Sequence, residues 1–456
     1  MELHNRHVLV VGLGRSGLAA ARLCLNQGAT VTLNDSRPEE AFGDHLNAFD
    51  ASVERLLGGH PQERFREADL IVLSPGVPPL EALDAARDAG VPIVGEVELG
   101  ARFVKAPIIA ITGTNGKSTT TTLCGAMIAA DRRPTFTGGN LGEPLCEALN
   151  RDDPGLHEEG ACVLELSSFQ LETVERFHAH VAVLLNLSED HLDRHPSFDA
   201  YVDAKARIFE RQTPDDWAIY NADPEARRCR EIASRSVAPK ISFRGERSRG
   251  TGAWLDNHDL CLRLPRGHVE RYDRATLRIP GLHNAENALA ALLAARLVGA
   301  GEDACAKALA SFGGLPHRME LVGEYRDVRY YDDSKATNVG SVVGSLRGFE
   351  RKVVLIAGGK DKGGDYAPLR ETVQEVCRHV VLIGAAAPLI EATLRGTVPL
   401  SHAKTMNDAV RRAMEVAKAG DAVVLSPACS SYDMYENYIA RGRDFAANVA
   451  TLGDTA

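Results

Sequence analysis

Several things are missing from this 456-residue chain. None of its nine cysteines stands in a Cys-x-x-Cys pair, which removes zinc ribbons and dithiol redox motifs. An odd number of scattered thiols reads as reduced core filler. There is no excess of positive charge: the formal net charge is −10, which argues against a nucleic-acid backbone as the main partner. An acidic protein can still hold phosphate with a few aimed N–H groups. No stretch approaches the ~18 apolar residues that span a bilayer, so no membrane partner is expected. The polar segment Met1–His7 leads only into the short apolar run Val8–Leu13 and a glycine turn, a first strand rather than a signal peptide. Short-period repeats and low-complexity tracts are absent. A cytoplasmic monomer is the expectation.

What remains is ordinary globular composition, 44% hydrophobic and 25% charged. At roughly 150 residues per domain, the length suggests about three domains. Short β-branched runs alternate with helical patterns, the signature of α/β units around parallel sheets. One block, residues 1–105, opens on Val8–Val11 and passes through Thr30–Asn34 and Leu70–Leu73. A second, 106–315, opens on Ile108–Ile111 and carries buried-type strands at Cys162–Leu166 and Val181–Leu185. A third, 316–456, has strands near Arg329–Asp332, Val353–Ala357, Val380–Ile383 and Ala422–Leu425. Segment 240–280, rich in Arg, Gly and Asp, reads as antiparallel strands or loops decorating the middle block.

Thr112-Gly113-Thr114-Asn115-Gly116-Lys117-Ser118-Thr119 follows a strand and opens a helix. Glycines there let backbone N–H groups converge on oxyanions, and the helix N-terminus adds partial positive charge. Lys117 would reach the β/γ-phosphates of ATP and Ser118 would ligate Mg²⁺. The first Gly of the usual pattern falls on Ile111, so this is a tighter loop. A plain helix start capped by Ser118 or Thr119 is the ordinary alternative.

Gly12-Leu13-Gly14-Arg15-Ser16-Gly17, with Asp35 at the end of the next strand, has the form of a dinucleotide fingerprint. Alone it suggests an NAD-dependent dehydrogenase, but any nucleotide diphosphate satisfies the same physics. Glu165 leaves a buried-type strand, where α/β sheets bind ligands; it could hold Mg²⁺ or cap the next helix. Asn186-Leu187-Ser188-Glu189-Asp190-His191-Leu192-Asp193 follows a second such strand, which puts Asp190 and His191 at the same edge as Lys117. His195 reads as surface, and Lys205 on residues alone as a solvated lysine.

Taken together, Thr112–Thr119, Gly139-Asn140, Glu165–Gln170, Asp190-His191, Gly281–Asn284 with Asn287, and Pro316-His317-Arg318 with Glu320 resemble the Mur ligase family along the whole chain. Asp332-Asp333-Ser334-Lys335-Ala336-Thr337-Asn338 and Ser426–Ser431 resemble the D-glutamate-adding branch. The resemblance implies an N-terminal Rossmann-like domain for UDP, a central P-loop ATPase-like parallel sheet for ATP, and a C-terminal Rossmann-like domain for the amino acid. It implies amide formation between UDP-N-acetylmuramoyl-L-alanine and D-glutamate through an acyl phosphate, for peptidoglycan precursor synthesis, and hence for cell shape and division. Residues carry over as follows. ATP falls to Gly113, Thr114, Asn115, Gly116, Lys117, Ser118 and Thr119, with Asn287, Arg318, Asp333 and Lys335. The UDP substrate falls to Gly14, Arg15, Ser16, Asp35, Ser36, Arg37, Ser74 and Gly76, with Asn140 near the reacting carboxylate or γ-phosphate. D-glutamate falls to Thr337, Lys362, Ser431 and Tyr438; the family pattern favours Phe at 438, and Tyr438 departs from it. Two Mg²⁺ ions are implied, one on Ser118 and Glu165, the other on His191 and Lys205. Lys205 would then carry a carbamate, as N6-carboxylysine. Lys117, Glu165, His191 and Lys205 form the implied catalytic set. A dehydrogenase, a nucleotide-gated switch and another amino-acid-adding ligase remain as rivals.

Overall fold

The structure, a computed structural model, describes residues 2–192, 194–244, 251–279, 281–347, 349 and 351–453. Asp193 and residues 245–250 of the Arg-rich segment lie outside them. Among the described residues the strands form three sheets, of five, nine and six members.

Val8 to Val11 are fully buried because both faces of their strand are covered, as in an all-parallel sheet. Across the first sheet run Glu54–Leu57, Thr30–Asp35, His7–Val11, Leu70–Leu73 and Ile93–Gly95, all parallel. The strand order reverses beside His7–Val11, so the crevice where such sheets take ligands opens on the Gly12–Gly17 turn. Those glycines also have a packing reason. A Cβ on Gly17 would sit 1.9 Å from the Gly12 carbonyl oxygen, so the helix Arg15–Asn26 could not approach the strand.

The middle sheet runs Thr135–Gly139, Ala161–Glu165, Ile108–Thr112, Val181–Leu184, Trp217–Asn221, Lys240–Phe243 and Gly252–Asp256, parallel throughout. Asp259–Arg263 and Val269–Asp273 then extend it antiparallel, so the expected parallel sheet is mixed at this edge. The antiparallel pair packs its apolar side chains, Leu260, Leu262 and Tyr272, into the core around Leu282–Leu297. That helix is Ala/Leu-rich and buried on nearly every side. Register places Ile111 opposite Glu165 and Thr112 opposite Leu184. The loops leaving these three central strands therefore meet at one edge.

In the third sheet Val328–Asp332, Ala422–Leu425, Val353–Ala357, Cys377–Ile383 and Leu400–Ala403 run parallel in that order, with Glu320–Tyr325 antiparallel at one edge. Among the described residues no helix is long and apolar enough to cross a membrane.

Candidate active site

The glycine loop that follows the strand Ile108–Thr112 takes the shape its composition demands. Gly113 and Gly116 sit at φ +151° and +82°, values that side-chain-bearing residues rarely adopt. The helix Lys117–Ala130 has Gly116 as N-cap and no side-chain cap, so capping by Ser118 or Thr119 is not what these residues do. Its leading N–H groups are left for a ligand. Lys117 curls over the loop and donates to the carbonyls of Gly113 (2.9 Å) and Thr114 (2.7 Å). Burial lowers the affinity of Lys117 for its proton, against the attraction of Glu165 and Asp190.

Glu165 ends the neighbouring strand and is buried. The Ser118 hydroxyl donates to its Oε2 at 2.5 Å and the Asn140 amide to its Oε1 at 2.7 Å. Burial alone would raise its pKa, but Lys117 and these hydrogen bonds outweigh it and hold the carboxyl below its ordinary value. A buried carboxylate kept ionised beside a serine hydroxyl is a hard oxygen set suited to Mg²⁺. Asn140 thus lies at the phosphate-loop chamber.

Lys205 is the largest departure from a residue-by-residue reading. It is 1% exposed, and among the described residues no carboxylate pairs with it. Its Nζ donates to Gly113 O at 2.8 Å and lies 4.7 Å over the Tyr201 ring. Burial and then the nearby Lys117 charge push its pKa well below the usual lysine value. Such an amine is available unprotonated, as reaction with carbon dioxide requires, so the residue fits a carbamate. His195 is also a correction: it is buried, hydrogen-bonds Ser168 Oγ at 3.0 Å and stacks on Phe169. His191 sits at φ +56° with Nε2 3.6 Å from Asp190 Oδ2 and its ring edge-on to Phe169.

The third sheet reaches over this edge. Arg318 Nη2 donates to Ser118 Oγ at 2.7 Å. The Asn338 amide and Ser341 hydroxyl both donate to Asn115 Oδ1, at 3.1 and 2.6 Å. Lys362 reaches Asp190 and Thr337, at 3.3 and 3.4 Å. Two cavities result. One, of about 310 Å³, is lined by Asn115, Gly116, Thr119, Asn287, Arg318, Asp333 and Lys335 among others. Asp333 there accepts from Ser345 and Ser426, and burial pushes its carboxyl up to about 7. The other, of about 390 Å³, gathers Lys117, Asn140, Glu165, His191 and Lys205 with Lys335, Thr337, Lys362, Ser431 and Tyr438. Lys335 holds its ammonium 3.9 Å from the Tyr438 ring centroid, and burial lowers its pKa to about 8.

The first sheet's residues stand apart. Asp35 accepts from Leu13 N and is paired with Arg37 at 2.9 Å; burial would raise its pKa, but Arg37 and Leu13 bring it down to about 2. Ser74 lies under the tight turn, its Cβ 2.9 Å from where a Cβ on Gly12 would be. Gly14 caps the helix opened by Arg15 and Ser16, again without a side-chain bond. Arg15 lines a separate cavity of about 660 Å³ with Gly142, Pro144 and Glu147 of the middle unit; Asp35, Ser36, Arg37, Ser74 and Gly76 do not.

Reasoning on single residues missed Tyr201, whose hydroxyl lies 3.0 Å from Thr114 Oγ1, and Ser341. Tyr201 precedes Lys205 by four positions on the helix Phe198–Ala206, a spacing that puts both on one face.

A phosphate loop facing a strand-end carboxylate, closed by a third α/β unit, defines a nucleotide-using α/β enzyme of three units. Residues 6–95 match the Mur ligase MurD-like N-terminal domain, 111–295 the Mur ligase middle domain and 317–429 the Mur ligase glutamate ligase domain. The chain belongs to the Mur ligase family. It is 45% identical to the UDP-N-acetylmuramoylalanine--D-glutamate ligase of Geotalea daltonii, covering 99% of each chain. It is 48% identical to the protein of that name from Anaeromyxobacter dehalogenans, covering 97% of each. Among solved structures it resembles MurF from Acinetobacter baumannii (TM-score 0.62, 19% identity, 97% of this chain and 90% of that one). It also resembles the UDP-N-acetylmuramate-alanine ligase MurC from Thermotoga maritima (0.60, 19%, 98% and 100%). These two likenesses concern the fold alone.

Proposed function

We propose that this protein uses ATP to join D-glutamate to UDP-N-acetylmuramoyl-L-alanine, in peptidoglycan precursor synthesis. The relatives sharing 45–48% of its residues over nearly their whole length bear that activity in their names. The observation that carries the reading is the single chamber in which phosphate-loop Lys117 shares space with Thr337, Lys362 and Ser431 of the third unit.

In this reading the alanyl carboxylate attacks the γ-phosphate, and the D-glutamate amine then displaces phosphate from the acyl carbon. The first step brings anions together, so neutralisation dominates its barrier. Lys117 supplies one fixed positive charge. Ser118 and Glu165 would hold one Mg²⁺ and His191 with a carboxylated Lys205 a second, and these ions would add positive charge at the phosphates. The Asn140 amide orients the reacting carboxylate or γ-phosphate. Asn287, Arg318 and Asp333 hold the adenine nucleotide in the smaller cavity, and Lys335 faces its phosphates. Lys362 and Thr337 receive the D-glutamate carboxylates, with Tyr438 as a wall. The UDP moiety lies along the Gly14–Ser16 turn with Asp35, Ser36, Arg37, Ser74 and Gly76.

Phosphate release from Mg-ATP and UDP-N-acetylmuramoyl-L-alanine, with amino acids added one at a time, tests this. Release that requires D-glutamate is expected. Release indifferent to the amino acid would point to a nucleotide switch, and dependence on another amino acid to a different addition.

A further inference from the structure

Pro316-His317-Arg318-Met319 joins the middle unit to the third sheet, and only Arg318 of its two polar side chains lines the cavities. His317 lines neither cavity, yet its backbone N–H, its carbonyl and its ring Nδ1 are all tied. Its N–H donates to Glu320 Oε2 at 2.9 Å, its carbonyl accepts from Lys335 N at 3.1 Å, and its ring Nδ1 is 2.6 Å from Asp332 Oδ2. Asp332 ends a strand, is 1% exposed, and takes Ser334 N on its other oxygen at 2.9 Å. The His317 ring meets Tyr438 edge-on, with centroids 6.1 Å apart, and Tyr438 also carries the Lys335 ammonium 3.9 Å from its centroid. All these partners belong to the third unit.

Two further features show that the contact is built. His317 and Met319, on either side of Arg318, are held at φ +62° and +51°, so the backbone is bent left-handed twice around one arginine. Gly442, inside the helix Tyr438–Ala450, leaves the room: a Cβ there would come within 2.3 Å of His317 Nδ1 and 2.4 Å of Asp332 Oδ2. His317, Glu320 and Asp332 could bring ligand atoms within 4.8 Å of one another for a cation, but the His317–Asp332 hydrogen bond already occupies two of them.

We propose that His317 and Asp332 are a positioning pair that clamps the Arg318 backbone to the third sheet, so that the guanidinium arrives at Ser118 only as that sheet closes. Arg318 is then a lever with its fulcrum at His317. The same clamp joins the nucleotide arm to Tyr438 and Lys335, so the nucleotide and amino-acid sides of the chamber move as one body. Neither His317 nor Asp332 touches the reacting groups.

The proposal rests on the nucleotide reading of the smaller cavity, and a binding measurement separates the two. Titrate the full-length protein with a non-hydrolysable Mg-ATP analogue, for the parent, His317→Ala, Arg318→Ala and the double variant. Arg318→Ala should weaken binding at least tenfold and His317→Ala about tenfold, while the double variant should lie within twofold of Arg318→Ala. Asp332→Ala should match His317→Ala. Asp332→Asn should stay within threefold of the parent, because an amide can donate to the imidazole in its other tautomer. Gly442→Ala, which favours the helix, should still weaken binding by wedging the pair apart. Losses that multiply in the double variant, or unchanged binding in both His317→Ala and Asp332→Ala, would overturn the clamp. Failure of the parent itself to bind the analogue would overturn the nucleotide reading instead.

Discussion

Lys205 shows how far burial can change what a side chain is for. A lysine on an exposed helix is a solvated cation. Here the ammonium is enclosed between the Gly113 carbonyl and the Tyr201 ring with a second lysine nearby, so the neutral amine is favoured. A carbamate would turn that buried cation into an anion beside Lys117, in a chamber also lined by Arg318, Lys335 and Lys362. Replacing Lys205 with Ala should lower kcat about 100-fold or more, on the scale of removing one electrostatic element from such a site. Added acetate or propionate should restore part of it. Full activity without rescue would mean that the lysine serves packing alone. The residue could not be recognised from its neighbours in sequence, because burial of a helical lysine depends on what the fold lays over it. Resemblance found it. The burial of His195 has the same origin: its shelter comes from Phe169 and Ser168 on a different strand exit.

The short helix Glu96–Ala101 carries two carboxylates that fasten the first unit to the middle one. Glu98 accepts from the backbone N–H groups of Glu175, Arg176 and Phe177 and pairs with Arg102. Glu96 accepts from Cys146 N at 2.7 Å but is otherwise walled in, and burial pushes its carboxyl from 4.5 up to about 7. A carboxyl raised in the fold costs stability as pH climbs from its unfolded value through its folded one, so the penalty grows between about pH 4.5 and 7 and is complete above. A shift of that size corresponds to at most about 3 kcal/mol. Glu96→Gln should therefore raise the thermal midpoint of the ligand-free protein at pH 8 and leave it nearly unchanged at pH 5. An equal gain at both values would show that the charge is not the cause. Elements with fully buried sequences were legible without help: Leu70–Leu73, Val353–Ala357 and Ala422–Leu425 match their apolar runs to the residue. Edge strands were not. Glu54–Leu57, Thr135–Gly139 and Leu400–Ala403 are partly exposed, and their mixed polarity carries no clean period.

Over the whole molecule, three α/β sheets divide the task. Each puts the exits of parallel strands toward a neighbour, and the joints between them are polar and specific, from Glu98 at one to Asn115, Ser118, Asp190 and their third-unit partners at the other. The alternation of strands and helices announced three such units. It could not announce that Arg318 and Ser118, 200 positions apart, would touch, since that depends on how one sheet folds over another. The chamber where phosphate-loop and third-unit side chains meet gives the central claim its physical content: in the proposed reaction the carboxyl is activated and consumed at one place. The most direct measurement follows oxygen. With the alanyl carboxylate of UDP-N-acetylmuramoyl-L-alanine labelled with ¹⁸O, turnover with ATP and D-glutamate should release phosphate carrying one labelled oxygen for each amide formed. Unlabelled phosphate, with the displaced ¹⁸O found instead in water or in a nucleotide monophosphate, would contradict the account.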